Sequence, residues 1–481
     1  MPHLTDLGDP IGAPIPDWHP CPLPPRAVLH GKHIRLEPQT AADHCDDLWA
    51  AFSADTTGAD WTHRLVGPFF ERDAFQDWLL SAEHSADQMY FAYVDQVTGK
   101  AVGNGAFMSM MPAAGSIEVG SIMFSPALQR TPAATEAIFL HIRWAFENGY
   151  RRLEWTCDPV NARSMAAAER FGFTFEAMFR QAYVAKGRNR DKAVFSIIDQ
   201  DWPSLRGAFE TWLDDANFDA DEQQIQSLRD LTAPFVHARA TAEDRGLRND
   251  LGQSVDHPVP GWTPPPHPTR MTLHGQYCRL EALALDHAET LFKAHAKDTD
   301  GRNWTYMPVG PFGDLAAFKA WVWDNALTAD PQHFAIVTGD GPVGTASLMR
   351  AFPKDGSIET GYVAFSPLLQ RTRAATEAIY LFMEWSFAAG YRRFEWKCNA
   401  LNAPSRRAAQ RFGMDFEGVW RQAIVTKGAN RDTAWYAVTD RNWPPLKAAF
   451  QTWLDPANFD AAGQQRQSLS ALTEPLLRAK G

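Results

Sequence analysis

The sequence predicts a mixed α/β fold that occurs twice in the chain. QRTPAATEA at Gln129–Ala137 returns as QRTRAATEA at Gln370–Ala378, and GYRRLEWTC at Gly149–Cys157 returns as GYRRFEWKC at Gly390–Cys398. Each pair is 241 residues apart, a period far too long for a solenoid or propeller repeat. Within each copy, predicted strands lead into helices that return to strands, which favours a twisted central sheet covered by helices.

The duplication indicates two domains in the chain of 481 residues. A proline-rich strap with one tryptophan opens each copy, from Pro14 and from Val259, and we expect it to lie extended across its own domain. The stretch between the copies is polar and charged, as is typical of a linker. The predicted organisation is a first domain at 1–238, a linker at 239–257 and a second domain at 258–481.

Strands are assigned to short apolar runs between turn residues, and helices to segments with apolar residues at every third or fourth position. In chain order, the first copy is predicted to contain a strand at Lys32–Glu37, helices at Ala41–Phe52 and Asp73–Ser85, strands at Met89–Val94, Ala101–Met110 and Ser116–Phe124, a helix at Thr131–Asn148, a strand at Arg152–Cys157, a helix at Asn161–Arg170, strands at Phe175–Ala185 and Asp191–Ile198, and helices at Ser204–Leu213 and Asp219–Leu231.

The helix that begins in the repeated block has the clearest signals. Thr131 is a good N-cap, and Pro132 suits the first helical position. Ile138 and Ile142 fall on one face, and Gly149 ends the helix. We therefore expect a strand, a short turn and a capped helix to follow one another directly.

Composition limits the functional classes. A net charge of −11 argues against nucleic acid, which needs a basic surface. No run approaches a membrane span, and the first residues lack the features of a secretory signal. No cysteine or histidine cluster suggests a metal. The recurring Cys157 and Cys398 are expected to be buried apolar residues of a cytoplasmic protein.

The predicted helix start also suits an anionic ligand. Its unpaired N–H groups and the positive end of its dipole favour a pyrophosphate. Arg130 and Arg371 add a cation at this point in each copy, and the small residues Ala133 and Ala134 allow close approach. Because a capped helix after a strand is common, this pattern alone does not identify the ligand.

The order of motifs resembles the GNAT superfamily of N-acetyltransferases, in the branch that includes the ribosomal-protein N-terminal acetyltransferases. The resemblance extends from about Lys32 in the first copy and Gln276 in the second. It implies two tandem domains, each a mostly antiparallel sheet flanked by helices. The motifs are Glu118–Gly120, Gln129–Ala137, Asn161–Ser164 and Arg170–Phe173 in the first copy, and Glu359–Gly361, Gln370–Ala378, Asn402–Ser405 and Arg411–Met414 in the second.

One position departs from the family pattern. The usual turn is Gln-x-x-Gly-x-Ala, and its glycine is replaced by Pro132 in one copy and Arg373 in the other. Pro132 removes a backbone donor, whereas Arg373 keeps its N–H and adds a charge. We expect the departure to weaken acetyl-CoA binding more in the first copy than in the second.

The resemblance implies transfer of acetyl from acetyl-CoA to a primary amine by direct attack, with neither an enzyme nucleophile nor a metal. A group must accept a proton from the amine, and Glu118 and Glu359 are the candidate bases. The alternative is that both are structural carboxylates that bond the neighbouring strand. Ser164 and Ser405 are the candidate acids for the thiolate.

A backbone N–H near Met123 or Ala364, on a splayed or bulged strand, is expected to stabilise the oxyanion. Asn161 and Asn402 are predicted to bond the pantetheine unless they only cap the next helix. The predicted acetyl-CoA site comprises Phe124, Gln129, Arg130, Thr131, Ala133, Ala134, Thr135 and Asn161, and their second-copy equivalents Phe365, Gln370, Arg371, Thr372, Ala374, Ala375, Thr376 and Asn402.

Three functional interpretations stay open: two active copies, one catalytic and one structural copy, or an acyl-CoA-binding sensor. The duplication favours an intramolecular pseudo-dimer of the two domains. The acceptor is a small amine or a protein N-terminus. The copies differ at His63–Leu65 against Tyr306–Pro308, which predicts different acceptor pockets. The turn at Lys186–Asp191 is predicted to be a hairpin with an internal Arg–Asp pair.

Overall fold

The computed structural model describes residues 3–221 and 223–481. In chain order the first half contains β1 His3–Leu4, β2 Pro10–Ile11, β3 Leu29–His30, β4 Ile34–Pro38, α1 Ala41–Phe52, α2 Arg72–Glu83, β5 Gln88–Asp95, β6 Ala101–Met111, β7 Ser116–Phe124, α3 Pro132–Glu147, β8 Arg152–Cys157, α4 Ala162–Arg170, β9 Thr174–Ala185, β10 Arg188–Ile198, α5 Trp202–Leu213 and α6 Leu228–Thr232.

The second half repeats this order from its first sheet strand onward. It contains β11 Thr272–His274, β12 Arg279–Ala282, α7 Ala288–His295, α8 Leu315–Asn325, β13 Gln332–Thr338, β14 Gly341–Phe352, β15 Ser357–Phe365, α9 Arg373–Ala388, β16 Arg393–Asn399, α10 Ala403–Arg411, β17 Asp415–Thr426, β18 Ala429–Thr439, α11 Trp443–Leu454 and α12 Leu469–Thr473.

The two halves share one sheet. Its order across the described residues is β3-β4-β5-β6-β7-β8-β10-β9-β17-β18-β16-β15-β14-β13-β12-β11, and the halves meet where β9 pairs with β17. Neighbouring strands are antiparallel except for β7 with β8 and β15 with β16, which are parallel. The predicted mixed α/β class, with two mostly antiparallel half-sheets, is confirmed.

Helices cover both faces of each half-sheet. In the first half, Phe91 packs into the core beneath α3 and α5, whereas its neighbour Ala92 packs with α1 and α2. Adjacent strand residues point to opposite faces, so this alternation places the two helix pairs on opposite sides. Ile138 and Ile142 are fully buried in α3, as their spacing predicts.

The parallel pairs open a gap in each half-sheet. β7 and β8 are paired only over Ser116–Glu118, and β15 and β16 only over Ser357–Thr360. Beyond these residues the two strands diverge, and each gap lies beside the turn that leads into the long helix α3 or α9. The strand pairing therefore positions Glu118 and Glu359 where their strands part.

A buried ion cluster joins the halves. Arg393 is fully buried, and its guanidinium donates to both carboxylate oxygens of Glu417 at 2.7 and 2.5 Å and to Glu395 at 2.6 Å. It also donates to the carbonyl oxygen of Arg180 in the other half at 2.8 Å. Arg152 occupies the equivalent position and donates to the carbonyl oxygen of Arg421 at 2.7 Å.

The segment that precedes each proline-rich strap lies on the other copy. Residues 3–15 lie on the second copy, where Tyr306 donates to the carbonyl oxygen of Pro10 at 2.8 Å. Residues 249–258 lie on the first copy, where Gln253 donates to the carbonyl oxygen of Ala59 at 2.9 Å. Within the strap itself, Trp18 donates to Ala113 of its own domain at 2.9 Å, as expected. The crossing of the preceding arm was not predicted.

The predicted helix at Asp219–Leu231 is wrong over most of the residues that the structure describes, because α6 begins only at Leu228. Glu222 lies outside the described residues. The Asp219 carboxylate accepts from the backbone N–H of Gln223 at 2.9 Å, and the Asn217 side chain accepts from Gln226 at 2.9 Å. Short polar side chains that bond nearby backbone groups compete with the helical ladder. The segment therefore forms a turn that is held by its own side chains.

Candidate functional site

A cavity of about 1670 Å³ extends from the start of α9 along β15 to the boundary between the halves. Of the predicted residues it is lined by Glu359, Phe365, Gln370, Arg371, Thr372, Ala375, Thr376, Asn402 and Ser405, and by Glu118 of the first copy. Ala374 and the other predicted first-copy residues do not line it. Both candidate bases thus face one space.

The helix starts form as predicted. The Thr131 side chain caps α3 by accepting from the N–H of Ala134 at 3.2 Å, and Thr372 caps α9 by accepting from Ala375 at 3.1 Å. Since proline has no N–H, the second copy offers one backbone donor more than the first. Weaker acetyl-CoA binding by the first copy stays a prediction.

The turn before each helix has its own structural supports. Gln129 donates its side-chain amide to the carbonyl oxygen of Phe124 at 2.9 Å, and Gln370 donates to Phe365 at 3.0 Å. These bonds hold the strand end against the turn. Arg130 stands at a φ of 64°, the left-handed geometry that turns the chain into the helix. The glutamine amides thus shape the site rather than point freely into it.

Two threonines predicted to bind the ligand have protein partners. The hydroxyl oxygen of Thr135 accepts from Arg170 at 3.0 Å, and that of Thr376 accepts from Arg411 at 3.1 Å. The guanidinium of Arg373 lies 4.8 Å from the ring centre of Tyr277. These contacts fix cationic side chains beside the start of each long helix.

Glu118 is buried between two hydroxyl groups. Its carboxylate accepts from Ser109 at 2.8 Å and from Thr156 at 2.6 Å. Burial raises the pKa of the Glu118 carboxyl, and the nearby charge of Lys192 opposes the rise. A carboxylate held by neutral donors with a raised pKa is suited to accept a proton.

Glu359 occupies the equivalent position with different partners. Its carboxylate lies 3.0 Å from the ammonium of Lys397 and 3.2 Å from the guanidinium of Arg350. Burial raises the pKa of the Glu359 carboxyl, while Lys397 and then Arg350 counteract the rise. The second copy therefore has an ion-paired glutamate where the first has a hydroxyl-bonded one.

A β-bulge follows each glutamate. Register shifts place Ser121 and Ile122 together opposite Gly105, and Ser121 stands at a φ of 51°. The bulge is repeated at Tyr362, which stands at a φ of 49°. The extra residue turns the strand immediately before Met123, the position predicted to lie near the oxyanion.

Arg64 braces the bulge of the first copy. Its guanidinium donates to the carbonyl oxygens of Ser121 and Ile122, both at 2.9 Å. Burial lowers the pKa of Arg64 to about 10. Met307 stands at the corresponding place in the second copy and cannot donate, so the two copies differ in charge beside the bulge.

The candidate acids have a consistent geometry. The indole N–H of Trp155 donates to the Ser164 hydroxyl oxygen at 3.1 Å, and that of Trp396 donates to Ser405 at 3.0 Å. Each hydroxyl keeps its own proton for donation. Asn161 caps α4 by accepting from the N–H of Ser164 at 3.2 Å, which is the alternative considered from the sequence. Its role toward a ligand stays a prediction.

The predicted pairing within the hairpin is wrong. Arg190 forms an ion pair with Asp158, which directly follows the neighbouring strand β8, while Asp191 binds Arg180 at 2.8 Å. The hairpin itself forms, with β9 and β10 meeting at Lys186 and Gly187. The error arises because adjacent strand residues point to opposite faces and cannot pair with each other.

The recurring cysteines have no catalytic environment. Burial raises the pKa of Cys157 to about 12 and raises that of Cys398 as well. A thiol with a raised pKa is a poor nucleophile, in agreement with the packing role expected from the sequence.

Sequence reasoning missed the structural role of two glutamates that recur in the repeated block, Glu136 and Glu377. The Glu136 carboxylate accepts from the backbone N–H groups of Lys32 and His33, each at 2.6 Å, and of Ile34 at 3.1 Å. Glu377 makes the same three bonds in the second copy. These glutamates of the repeated block tie the sheet to the long helix. The available signal was that glutamate stands at the same position of the repeated block in both copies.

Sequence reasoning also missed the partners of the candidate bases. Ser109 and Thr156 in the first copy correspond to Arg350 and Lys397 in the second. Thr156 against Lys397 is a polar difference inside the otherwise similar GYRRLEWTC and GYRRFEWKC blocks, and it could have been recognised as a change of charge.

The model of the acetyltransferase (GNAT) domain matches the chain twice, over residues 33–174 and 278–415, which together make up more than half of its length. The chain belongs to the GNAT acetyltransferase family. It contains the GNAT domain in tandem, as the repeat and the resemblance predict. Members of this family use acetyl-CoA, so the chain is an acetyltransferase by family.

Several solved GNAT structures are similar to one part of this chain. A GCN5-related N-acetyltransferase from Brucella melitensis is 44% identical, with 44% of this chain and 99% of that chain covered and a TM-score of 0.44. A GNAT-family acetyltransferase from Chromobacterium violaceum is 42% identical, with 39% and 94% covered and a TM-score of 0.38. A ribosomal-protein-serine acetyltransferase from Vibrio cholerae is 22% identical, with 37% and 99% covered and a TM-score of 0.33. No curated protein matches the chain.

The second-copy cavity fits a nucleotide thioester. Arg371, Arg373, Arg407 and Arg411 line it around the start of α9, where phosphates are favoured by cations and by the helix dipole. Across residues 3–221 and 223–481, no group of three or more His, Cys, Asp or Glu side chains is arranged to hold a metal ion. Within the same ranges, no helix combines the length and the apolar character needed to cross a membrane.

Proposed function

We propose that the chain is an acetyl-CoA-dependent N-acetyltransferase that acetylates a primary amine by direct attack within a ternary complex. The observation that carries the proposal is the placement of Glu118. This buried carboxylate lies where β7 and β8 part and just before a bulge, and its strand leads to the capped start of α3. Glu359 has the same placement in the second copy.

In the proposed mechanism, the start of α3 or α9 binds the pyrophosphate. Bound acetyl-CoA supplies the thioester carbonyl that the amine attacks and the thiolate that leaves. Because an aliphatic amine has a pKa of about 10, a base must remove a proton before or during attack. Glu118 accepts that proton, and its raised pKa brings it closer to the pKa of the amine than an exposed glutamate would be.

The remaining roles fall to groups around the bulge and on the next helix. The backbone N–H of Met123 or Ala364 donates to the oxyanion. Ser164 or Ser405 donates its hydroxyl proton to the thiolate, and the indole that bonds its oxygen orients it. Asn161 and Asn402 hold the pantetheine with their amide N–H groups, since their oxygens cap the helices.

We also propose that the two domains, taken as residues 1–238 and 258–481, act as an intramolecular pseudo-dimer. The joined sheet and the exchanged arms support this arrangement. The acceptor is a small amine or a protein N-terminus, and the chain acts in the cytoplasm.

A second candidate is one catalytic copy and one structural copy. The ion pairs of Glu359 with Lys397 and Arg350 favour it, because a carboxylate stabilised by two cations is a weaker base. In that case the first copy performs the reaction, and the second supplies a wall of the shared cavity.

The test is thiol release from acetyl-CoA by the full chain with a panel of amines and N-terminal peptides, for the wild type, Glu118→Gln and Glu359→Gln. Loss in both variants supports two active copies, and loss only in Glu118→Gln supports the second candidate. Coenzyme A binding without release for any amine would leave an acyl-CoA-binding sensor and contradict the proposal.

A further inference from the structure

We propose that the second copy binds an acceptor that carries an anionic group, a carboxylate or a phosphate, in addition to its amine. This assignment of an acceptor class rests on the proposed N-acetyltransferase function. It follows from a comparison of the charged residues that surround Glu359 with those that surround Glu118.

The first observation is an arginine of the second copy whose equivalent in the first copy is ion-paired. In the first copy, Arg190 pairs with Asp158 and donates to the carbonyl oxygen of Thr62 at 2.8 Å. Arg431 is the equivalent arginine, and Asn399 replaces the aspartate. Within the part of the chain that the structure describes, Arg431 forms neither a salt bridge nor a side-chain hydrogen bond, and its buried Nε has no acceptor.

The second observation is a gain of cations around the same glutamate. Arg350 and Lys397 replace the hydroxyl residues of the first copy, and both contact Glu359. Together with Arg431, which lines the same cavity, they bring three positive charges to the Glu359 site. The first copy has one such cation near Glu118, Lys192, and Thr433 stands at its place in the second copy. Glu395 offsets part of this charge, because its partner Arg393 is shared with Glu417, and three cations still face two carboxylates.

The third observation is the charge of the whole cavity. Nine lysine and arginine residues line it against four acidic residues, although the chain as a whole carries a net charge of −11. Of the acidic residues, Asp9 faces Arg302 at 3.5 Å, and Glu118 and Glu154 belong to the first copy. Of the nine cations, Arg371, Arg373, Arg407 and Arg411 lie at the proposed phosphate site, Arg302 faces Asp9, and Lys192 belongs to the first copy. The positive charge that is left for an acceptor at Glu359 is that of Arg350, Lys397 and Arg431.

The position of Arg431 suits acceptor recognition. It lines the same cavity as Glu359. A guanidinium presents a planar fork of donors that matches a carboxylate or a phosphate. An acceptor can thus place its anion at Arg431 and Lys397 and direct its amine toward Glu359. The first copy, in which Asp158 neutralises the equivalent arginine, lacks this anion site.

The binding test uses inorganic phosphate as a probe on the full chain, in the presence of saturating coenzyme A so that the pyrophosphate site is filled. Asn399→Asp restores the aspartate of the first copy, and the reciprocal Asp158→Asn frees Arg190. Calorimetry is expected to find one phosphate site in the wild type and at least tenfold weaker binding in Asn399→Asp. No additional site is expected in Asp158→Asn, because the first copy has Ser109 and Thr156 in place of Arg350 and Lys397. Equal binding by the wild type and Asn399→Asp, or no binding, would overturn the proposal.

A second variant tests the same prediction if Asn399→Asp does not fold. Arg350→Ser with Lys397→Thr installs the first-copy partners of the glutamate, and it is also expected to weaken phosphate binding at least tenfold. Unchanged binding in this double variant would argue against a cationic anion site.

The turnover test compares β-alanine with propylamine, which differ by a carboxylate. We expect kcat/KM for β-alanine to exceed that for propylamine at least tenfold, and the preference to disappear in Asn399→Asp. Thiol release without this preference overturns the acceptor class alone. Phosphate binding that is sensitive to Asn399→Asp, without thiol release from any amine, overturns the N-acetyltransferase function and leaves the anion site standing.

Discussion

Replacement of Arg393 by methionine tests how the two halves are held together. The substitution removes the bidentate contact with Glu417, the bond to Glu395 and the donor to Arg180 across the boundary. Both carboxylates remain largely inaccessible to water, with side-chain exposures of 4% for Glu417 and 11% for Glu395. Breaking a buried ion pair by removing one partner costs about 3–5 kcal/mol. We expect Arg393→Met to lose about that much unfolding free energy.

The double variant Arg393→Met with Glu417→Gln separates pairing from packing. It removes one stranded carboxylate, and glutamine still accepts from the N–H of Arg180, which lies 2.9 Å from the glutamate oxygen. The sum of the two single losses should exceed the loss in the double variant by about 1–3 kcal/mol. Lys293→Met, in an exposed pair with Glu289, is the matched control and should not change stability measurably.

The measurement is equilibrium unfolding of the full chain in denaturant, followed by tryptophan fluorescence. Trp420 and Trp435 pack with Phe179 at the boundary and report on its opening. A loss below about 1 kcal/mol for Arg393→Met, or strictly additive losses in the double variant, would refute the idea that this cluster holds the halves together.

Two further predictions concern buried glutamates. Burial raises the pKa of Glu118, and the base must be ionised to act; the first-copy rate should therefore rise with pH through a value above that of an ordinary glutamate. Glu118→Gln should lower kcat about 10²–10⁴-fold and remove that acidic limb from the pH–rate profile, and an unchanged limb would contradict the assignment. In Glu136→Gln, the new amide NH₂ group faces backbone N–H groups that donate to a carboxylate in the wild type. The variant should therefore lose about 1–3 kcal/mol of unfolding free energy, measured by thermal or denaturant unfolding. Glu377→Gln should do the same in the second half, and wild-type stability in both variants would contradict the role of these carboxylates.

Local signals determined the elements around the site correctly. The boundaries of β7, β8 and α1 agree with the sequence prediction, and Thr131 caps α3 with Pro132 at its first position. Strand alternation, helix caps and turn residues act between neighbours in sequence, so one chain contains the required information. The predicted helix at Asp219–Leu231 failed for the same local reason, since side-chain bonds to the backbone outweighed helical periodicity.

The identity of each side chain's partner could not be predicted in this way. An arginine of the hairpin was expected to pair with an aspartate of the same hairpin, yet Arg190 pairs with Asp158, just past the end of β8. Glu118 was assigned to the correct strand, but its hydroxyl partners come from β6 and β8. Strand order and register decide such contacts, and neither is encoded by the spacing of residues along one strand.

The sequence by itself determined the duplication, the family and the positions of the glutamates, because each is expressed in repeated blocks or in local order. Only the tertiary structure decided that the two glutamates face one cavity, that one is bonded to hydroxyls and the other to cations, and that the arms cross between the halves. The physical reason is that charge and burial at a site are set by residues far apart in sequence, which come together only when β9 and β17 join the two half-sheets.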